Sequence, residues 1–348
     1  MHRFDHIILE TLMLRDLINN DINEIVAINV VKSLLQTSLR GVDSHGINLF
    51  PHYCKEIDAG RINKSPNIKI THASPCSILI DADHTFGHHA GILAIEEGSF
   101  VANEYGMSGV VVRNSTHFGA ASYFGLHAAQ KDLICIAFTN ADALVKAYGS
   151  SVKYFGTNPL CFCAPMLNEE PFCLDMATSQ ISWNKIREYS RNSQPIPDGL
   201  AFDNNGQITT DPDLVSMLAP IGEYKGYGLG MMVDILCALL GTGLTSKDII
   251  PMFEEPLSKR RYISHYFILI DINKYVDAHT FKKRLQLMAD EIRNLKKQSG
   301  FKKVMVAGDP EKSNYTERIS SGIPVYNDIY QQFLELSPKY KEALVLGK

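Results

Sequence analysis

Gly109-Val-Val-Val-Arg-Asn-Ser-Thr-His-Phe-Gly119 is the stretch from which the fold of this chain is read. Gly109–Val112 is a short apolar, β-branched run that fits a buried strand. It gives way at once to Arg113, Asn114, Ser115, Thr116 and His117, and then to a helical pattern over Ala120–Lys131. Strand, polar loop and helix in that order form the basic unit of α/β proteins, which gather ligands at the C-terminal ends of their strands. His117 stands at such an end. Histidine is the side chain that titrates near neutrality, so this loop suits acid–base work. A loop histidine with locally satisfied nitrogens gives the same pattern.

Working outward, a helix is expected over Ala90–Tyr105. Strands are expected at Asn67–Thr71, Ser77–Ile80, Leu133–Thr139, Phe172–Leu174, Tyr266–Ile272 and Val304–Ala307. Toward the N-terminus the texture is helical. Met1–Leu14 reads as a first amphipathic helix. Asp21 and Glu24 form a capping-box-like start for Ile25, Ile28, Val31, Leu35 and Leu39, and Gly41 takes the C-terminal cap. A second such helix runs from Leu49 to Asp58 and ends at Gly60. Gly222–Gly230 opens an apolar helix to Leu240, and Phe281, Leu285, Met288, Ile292 and Leu295 repeat at helical spacing. The tail Tyr315–Lys348 is helical and charged. Ser193–Pro220 and Gly241–Ser258 are rich in turn formers and read as surface excursions. The expected fold class is α/β (α+β). Residues 1–75 and 312–348 together form a helical domain, and 76–311 form a mixed-sheet domain.

Composition narrows the function classes. With 348 residues, 45% apolar and 21% charged, the chain can bury a real core and is not disordered. Against 38 acidic residues there are 34 basic ones, so nothing in the charge favours nucleic acid. No apolar run approaches the ~20 residues of a membrane span. Seven cysteines with no CxxC read as buried thiols of a cytoplasmic protein, not as a disulfide framework.

Four segments could carry chemistry. Arg40-Gly-Val-Asp-Ser44-His45-Gly46 holds a histidine on an irregular turn, or is simply a capping turn. The loop with Asn114 and His117 is the second. The third pairs Gly156-Thr-Asn-Pro-Leu160 with Leu174-Asp175-Met176-Ala177-Thr178, where small residues would let a flat ligand approach the backbone. The fourth, Tyr224-Lys225-Gly226-Tyr227-Gly228, sets glycines and a lysine before a helix, as phosphate sites do, though helix packing explains it equally. Neither GxGxxG nor the Walker pattern occurs. Asp81, Asp83, His84, His88 and His89 crowd together, but without a recognised zinc spacing; the expectation is no metal.

Taken in order, these segments resemble the malate/L-lactate dehydrogenase-like (type 2) family of NAD(P)-dependent oxidoreductases. The matching pieces are GVDSHG (41–46), AGRIN (59–63), RNSTHFGAASYF (113–124), GTNPL (156–160), LDMATS (174–179), YKGYGL (224–229) and VAGDPE (306–311). Each is modest alone; together they span nearly the whole chain. The resemblance implies a non-Rossmann mixed-sheet cofactor domain, a homodimer, NAD or NADP as cofactor, and hydride transfer between nicotinamide and a hydroxy/keto compound, a 2-hydroxy acid or sugar-derived acid. His117 matches a proton acceptor in one member and His45 a proton donor in another. His117 is therefore taken as acid/base and His45 as polariser of the substrate oxygen, with the reverse left open. Ser44, Arg40 and Asn114 are taken as substrate contacts. Asn140, Asp175, Met176, Ala177, Lys225, Gly226, Gly308 and Asp309 are taken as cofactor contacts. One departure matters: family members often read SHGVxR, whereas Leu49 stands here where that arginine would hold a carboxylate. Arg40, Arg61 or Lys146 could supply the cation instead. Two readings from other classes stand beside this one. One is a cofactor-binding protein without turnover; the other is a metal hydrolase built on Asp81, Asp83, His84 and His88.

Overall fold

In the computed structural model, which describes residues 2–345, strand β1 (His2–Phe4) leads into helices α1 (His6–Asn19), α2 (Glu24–Leu39) and α3 (Phe50–Asp58). Expectations for Met1 and residues 346–348 lie outside the described residues. α2 starts as anticipated but is capped by Asn23, whose side chain accepts from Ile25 N–H; Asp21 instead turns the chain with φ +61°. Gly41 closes α2 at φ +88°, in the left-handed region that favours glycine.

Next come β2 (Lys69–Ser74), β3 (Ser77–Asp81), α4 (Gly87–Tyr105), β4 (Met107–Ser115), α5 (Ala121–Ala129) and β5 (Leu133–Thr139). Short strands β6 (Val145–Lys146) and β7 (Lys153–Phe155) precede β8 (Leu160–Ala164) and β9 (Phe172–Met176). Then follow α6 (Trp183–Arg191), β10 (Ala201–Phe202), β11 (Met217–Leu218), α7 (Tyr224–Asp234) and β12 (Ile263–Asp271). The chain finishes through α8 (Ala278–Arg293), α9 (Asp309–Ser321), β13 (Ile323–Val325) and α10 (Asn327–Leu336).

A seven-stranded sheet runs in the order β2-β3-β4-β12-β5-β8-β9. Its one parallel pair is β3 with β4, joined through α4; every other neighbour is antiparallel. β12 comes late in the chain yet lies between β4 and β5. One face packs α4 and α5, with Phe124 of α5, over Ile80, Val110, Val112, Cys135 and Phe267. The other face packs the α7 region, which widens into a π-helical turn over Ile235–Leu239, against Phe138 and Tyr266.

Both ends of the chain share a second apolar cluster. Phe4, Leu9, Met13, Val30, Leu34 and Phe50 pack there against Ile323, Val325, Phe333 and Tyr340, and β1 pairs antiparallel with β13. The short strands at both ends of this cluster were not foreseen, because three residues carry too little pattern. The strand expected at Val304–Ala307 does not form: the segment is irregular and lies along a cavity wall. Ser193–Pro220 is more than a surface excursion, since β10 and β11 join β6 and β7 in a small sheet over buried Ile186, Ile196 and Leu218. Gly241–Ser258 also departs from expectation: Pro251–Glu254 line the cavity, and Met252 O and Glu254 O accept from buried Arg61 at 2.7 and 3.0 Å.

Candidate active site

A cavity of about 910 Å³ opens where the two-ended cluster meets the sheet, a size suited to a small-molecule site. His117 enters it from the loop after β4. That loop is pinned by Thr116, whose Oγ1 donates to Thr85 O at 3.1 Å and accepts from Gly87 N–H at 3.0 Å. His45 enters from the turn after α2. Arg318 of α9 clamps this turn, donating to Asp43 at 2.6 and 3.0 Å and to Ser38 O at 2.6 Å. Gly46 is required at the same place, because a Cβ there would stand 2.0 Å from Ser38 Oγ.

The two imidazoles meet at 5.6 Å between ring centroids with 28° between planes. Ser44 Oγ lies 2.6 Å from His45 Nδ1, and Tyr53 Oη lies 2.7 Å from His117 Nδ1. Gly119 N–H also points at His117 Nδ1, at 3.4 Å. Desolvation lowers both histidines: His45 falls to about 4, and His117 falls well below its ordinary value, with His45 adding repulsion. Both rings are thus neutral at pH 7, with one nitrogen able to donate and the other to accept.

Of the other expected site residues, Arg40, Ser44, Asn140, Asp175, Met176, Ala177 and Gly308 line the cavity. Arg40 is held there by a bidentate pair with Glu170 at 2.9 and 3.0 Å. The Asn140 amide is used internally, donating to Leu244 O and accepting from Ser264 N–H, both at 2.9 Å. Asp175 accepts from Ser122 N–H at 2.8 Å.

Asn114, Lys225, Gly226 and Asp309 do not line it. Asn114 takes φ +50° and donates to Asp81 at 2.9 and 3.0 Å, which fixes the strand end. Lys225 and Gly226 belong to the first turn of α7, not to an open loop. Lys225 N–H already donates to Gly222 O, and a Cβ on Gly226 would stand 2.0 Å from Ile221 O. A close approach to Ile221 thus explains Gly226, whereas a side chain at Gly228 would meet nothing within 4 Å. Asp309 is engaged by Arg293 at 2.6 and 3.0 Å.

The alternative cations for the missing arginine are also committed elsewhere. Arg61 is buried on Glu56 at 2.8 Å, and Lys146 stacks on Phe202 with Nζ 4.0 Å from the ring centroid. Sequence reasoning missed Arg261. It lines the cavity, is buried, pairs through Nη2 with Asp142 and donates from Nε to Ile250 O at 2.8 Å. Among the described residues Nη1 has no partner. Leu49 lines the same cavity.

The carboxylates offered for a hydrolytic metal are held by neighbouring groups, and among the described residues the histidines do not converge with them. Asp81 takes Arg113 and Asn114, Asp83 takes Asn63 and Asn67, and His88 is fully buried. Among the described residues, the only three metal-capable side chains that converge are Cys161, Cys163 and Cys173.

For a dinucleotide the fit is favourable. The rim offers the backbone of Asp175–Ala177 and the N-terminus of α9, with Gly308 at φ +96° just before it. A Cβ at Gly308 would close to 3.3 Å on Cys173 N. Helix N-termini attract phosphate.

With this geometry in hand, similarity to known proteins is decisive. The sequence profile described as malate/L-lactate dehydrogenase matches residues 5–334. The chain belongs to the malate/L-lactate dehydrogenase family. Malate dehydrogenase of Pyrococcus horikoshii is 33% identical over 320 residues, 89% of this chain and 88% of its own. Ureidoglycolate dehydrogenase (NAD(+)) of Escherichia coli K12 is 31% identical over 308 residues, 88% of each chain. The solved sulfolactate dehydrogenase of Methanocaldococcus jannaschii superposes with TM-score 0.90 at 30% identity, covering 97% of both chains. The family accounts for the mixed α/β architecture without a GxGxxG loop.

Proposed function

We propose that this chain is an NAD(P)-dependent dehydrogenase that interconverts a small carboxylate-bearing hydroxy acid and its keto acid. The observation that carries the reading is the stacked His45–His117 pair facing a cavity that Arg261 also lines, its Nη1 without a partner among the described residues. Relatives named for malate, sulfolactate and ureidoglycolate support this substrate class.

A cofactor bound along Asp175–Ala177 and Gly308 would supply or accept the hydride at its nicotinamide. The chain's own residues manage the oxygen. When His117 donates from Nδ1 to Tyr53 Oη, its Nε2 lone pair accepts the hydroxyl proton during oxidation and returns it during reduction. His45, oriented by Ser44, donates a hydrogen bond to the same oxygen. Arg261 Nη1 holds the carboxylate, a charge-assisted bond of about 1.5–3 kcal/mol. This assigns the cation role left vacant by Leu49.

A second reading follows from Gly119. A backbone N–H can only donate, so its approach to His117 Nδ1 favours the tautomer with hydrogen on Nε2. In that tautomer His117 polarises the oxygen and His45 is the base.

The proposal extends to organisation. Residues 1–75 with 312–348 bring His45 and Tyr53, while 76–311 bring His117 and the cofactor rim. A homodimer is supported by exposed Met231, Ile235 and Leu239, spaced four apart. Seven free thiols favour the cytoplasm. No helix of the described residues is long and apolar enough to cross a membrane.

The test is absorbance at 340 nm with NADH or NADPH and a panel of 2-keto acids and sugar-derived keto acids. Oxidation with at least one small 2-keto acid is expected. Cofactor binding without turnover on any of them would overturn the reading in favour of a non-catalytic binder.

A further inference from the structure

Cys161 and Cys163 alternate on β8, and Cys173 on β9 lies directly opposite Cys163. All three side chains therefore share one face of the sheet. Gly125 of α5 leaves them room: a Cβ there would stand 2.6 Å from Cys163 Sγ. Cys161 Sγ lies 3.6 Å from Cys163 Sγ and 4.0 Å from Cys173 Sγ.

The three thiols are not equivalent. Cys161 and Cys163 are fully buried, whereas Cys173 is half-buried and lines the cavity. A small reagent in the cavity meets Cys173 first, with two further thiols in contact behind it. The surroundings favour its thiolate: Cys161 and Cys163 offer S–H donors, and Arg40 and Lys312 add positive charge, so the Cys173 thiol is drawn below its ordinary value. Hydrogen bonds with the neighbouring thiols, and then burial, raise Cys161. An accessible thiolate backed by a protonated thiol is the arrangement that redox-sensitive cysteines use.

We propose that Cys173 is an oxidation site for hydroperoxides, resolved by Cys161 into a Cys161–Cys173 disulfide. The Cys173 thiolate attacks one peroxide oxygen: an S–O bond forms, the O–O bond breaks, and the departing oxygen leaves as alkoxide or hydroxide and takes a proton. The Cys161 thiol then attacks the sulfenic sulfur: an S–S bond forms, the S–O bond breaks, and water leaves. Two thiols lose two electrons and two protons, and the peroxide is reduced to water and an alcohol, or to two waters. Cys173 stands two residues before Asp175, so the product rigidifies the cavity rim. The chemistry does not depend on the proposed hydride transfer.

The experiment treats the reduced full-length protein with a tenfold excess of hydrogen peroxide and reads intact mass and mapped peptides. A loss of 2 Da is expected, with Cys161 joined to Cys173, and dithiothreitol should reverse it. In Cys161→Ala, checked for folding by circular dichroism, Cys173 should instead gain oxygen, without that crosslink. An unchanged wild-type mass overturns the proposal, as does a disulfide that excludes Cys173. So does a stoichiometric zinc or copper ion in the isolated protein that blocks all three thiols until it is chelated.

Discussion

Tyr53 Oη lies 2.7 Å from His117 Nδ1, although the two residues are 64 positions apart and come from α3 and the loop after β4. The contact joins the helical cluster to the sheet at the proposed acid–base centre. Tyr53 is almost wholly buried, and burial with nearby Glu56 pushes its phenol well above the ordinary value, so it remains a neutral hydroxyl. Its work is to hold the ring, since a hydroxyl can serve either tautomer by accepting or donating. Tyr53→Phe keeps the packing and removes only that tie. Turnover is expected to fall by about 10- to 100-fold, a part of what acid–base catalysis contributes, with the KM for cofactor within twofold. Steady-state kinetics separates this from a structural role, in which both constants would drift with stability.

The histidines also set an acid limit on stability. His88 and His265 are fully buried, and desolvation lowers each to about 3. His265 accepts no rescue from carboxylates; its nitrogens meet Thr139 Oγ1 at 2.7 Å and Ser115 Oγ at 2.8 Å. The unfolded chain binds protons near pH 6.5, where the folded chain does not. Stability is therefore unaffected above about pH 7 and declines as pH falls below 6.5 toward 3. Each such histidine contributes a slope of up to about 1.4 kcal/mol per pH unit. Urea midpoints measured from pH 7.5 to 4.5 should fall steadily, and His265→Gln should flatten that fall.

Local pattern accounts for what was legible beforehand. The run Gly109–Val112, the periodic apolar residues of α2 and the glycine caps at Gly41 and Gly60 all act over a few residues, and they produced strand, helix and ends close to those observed. Pairing between distant strands leaves no such trace, so the place of β12 between β4 and β5 was not visible. At the site, His45 and His117 could be singled out because each sits in a polar turn. Arg261 could not: it is one arginine after Arg260 in a loop, and only folding against Asp142 brings it to the cavity. Lys225 shows the converse limit, since a glycine-rich string looks the same whether its amides are free or, as here, already inside a helix.

Glu169 is a second residue whose importance appears only in three dimensions. It accepts from Arg293 at 2.7 and 3.0 Å, from Lys312 at 2.6 Å and from Gln286 at 2.7 Å, tying the β8–β9 connection to α8 and α9. Burial opposes its charge, but these donors prevail and hold the carboxyl at about 2. Its contribution is present above about pH 4.5 and is lost as pH falls through 2. Because the pairs retain some solvent contact, about 1–2 kcal/mol is a reasonable size. Glu169→Gln should lower Tm at pH 7 by a few degrees, and the gap from wild type should narrow as pH drops below 4.

Arg261 and Leu49 together should set which acids are used. Among the described residues Arg261 has one nitrogen without a partner, enough for a single carboxylate, while its other two are fixed on Asp142 and Ile250 O. Leu49 presents an apolar wall where a second cation could stand. Arg261→Gln removes the charge but keeps a donor, so the KM for a 2-keto acid should rise at least about tenfold, as expected for loss of a charge-assisted bond, while the KM for cofactor holds. Leu49→Arg places a second guanidinium on the wall without disturbing Arg261. Dicarboxylate keto acids should gain about tenfold in kcat/KM over monocarboxylate ones. If both classes change equally, Leu49 lies outside the reach of the substrate's second carboxylate. A gain confined to dicarboxylates would show that the leucine narrows this chain to substrates with one anionic group.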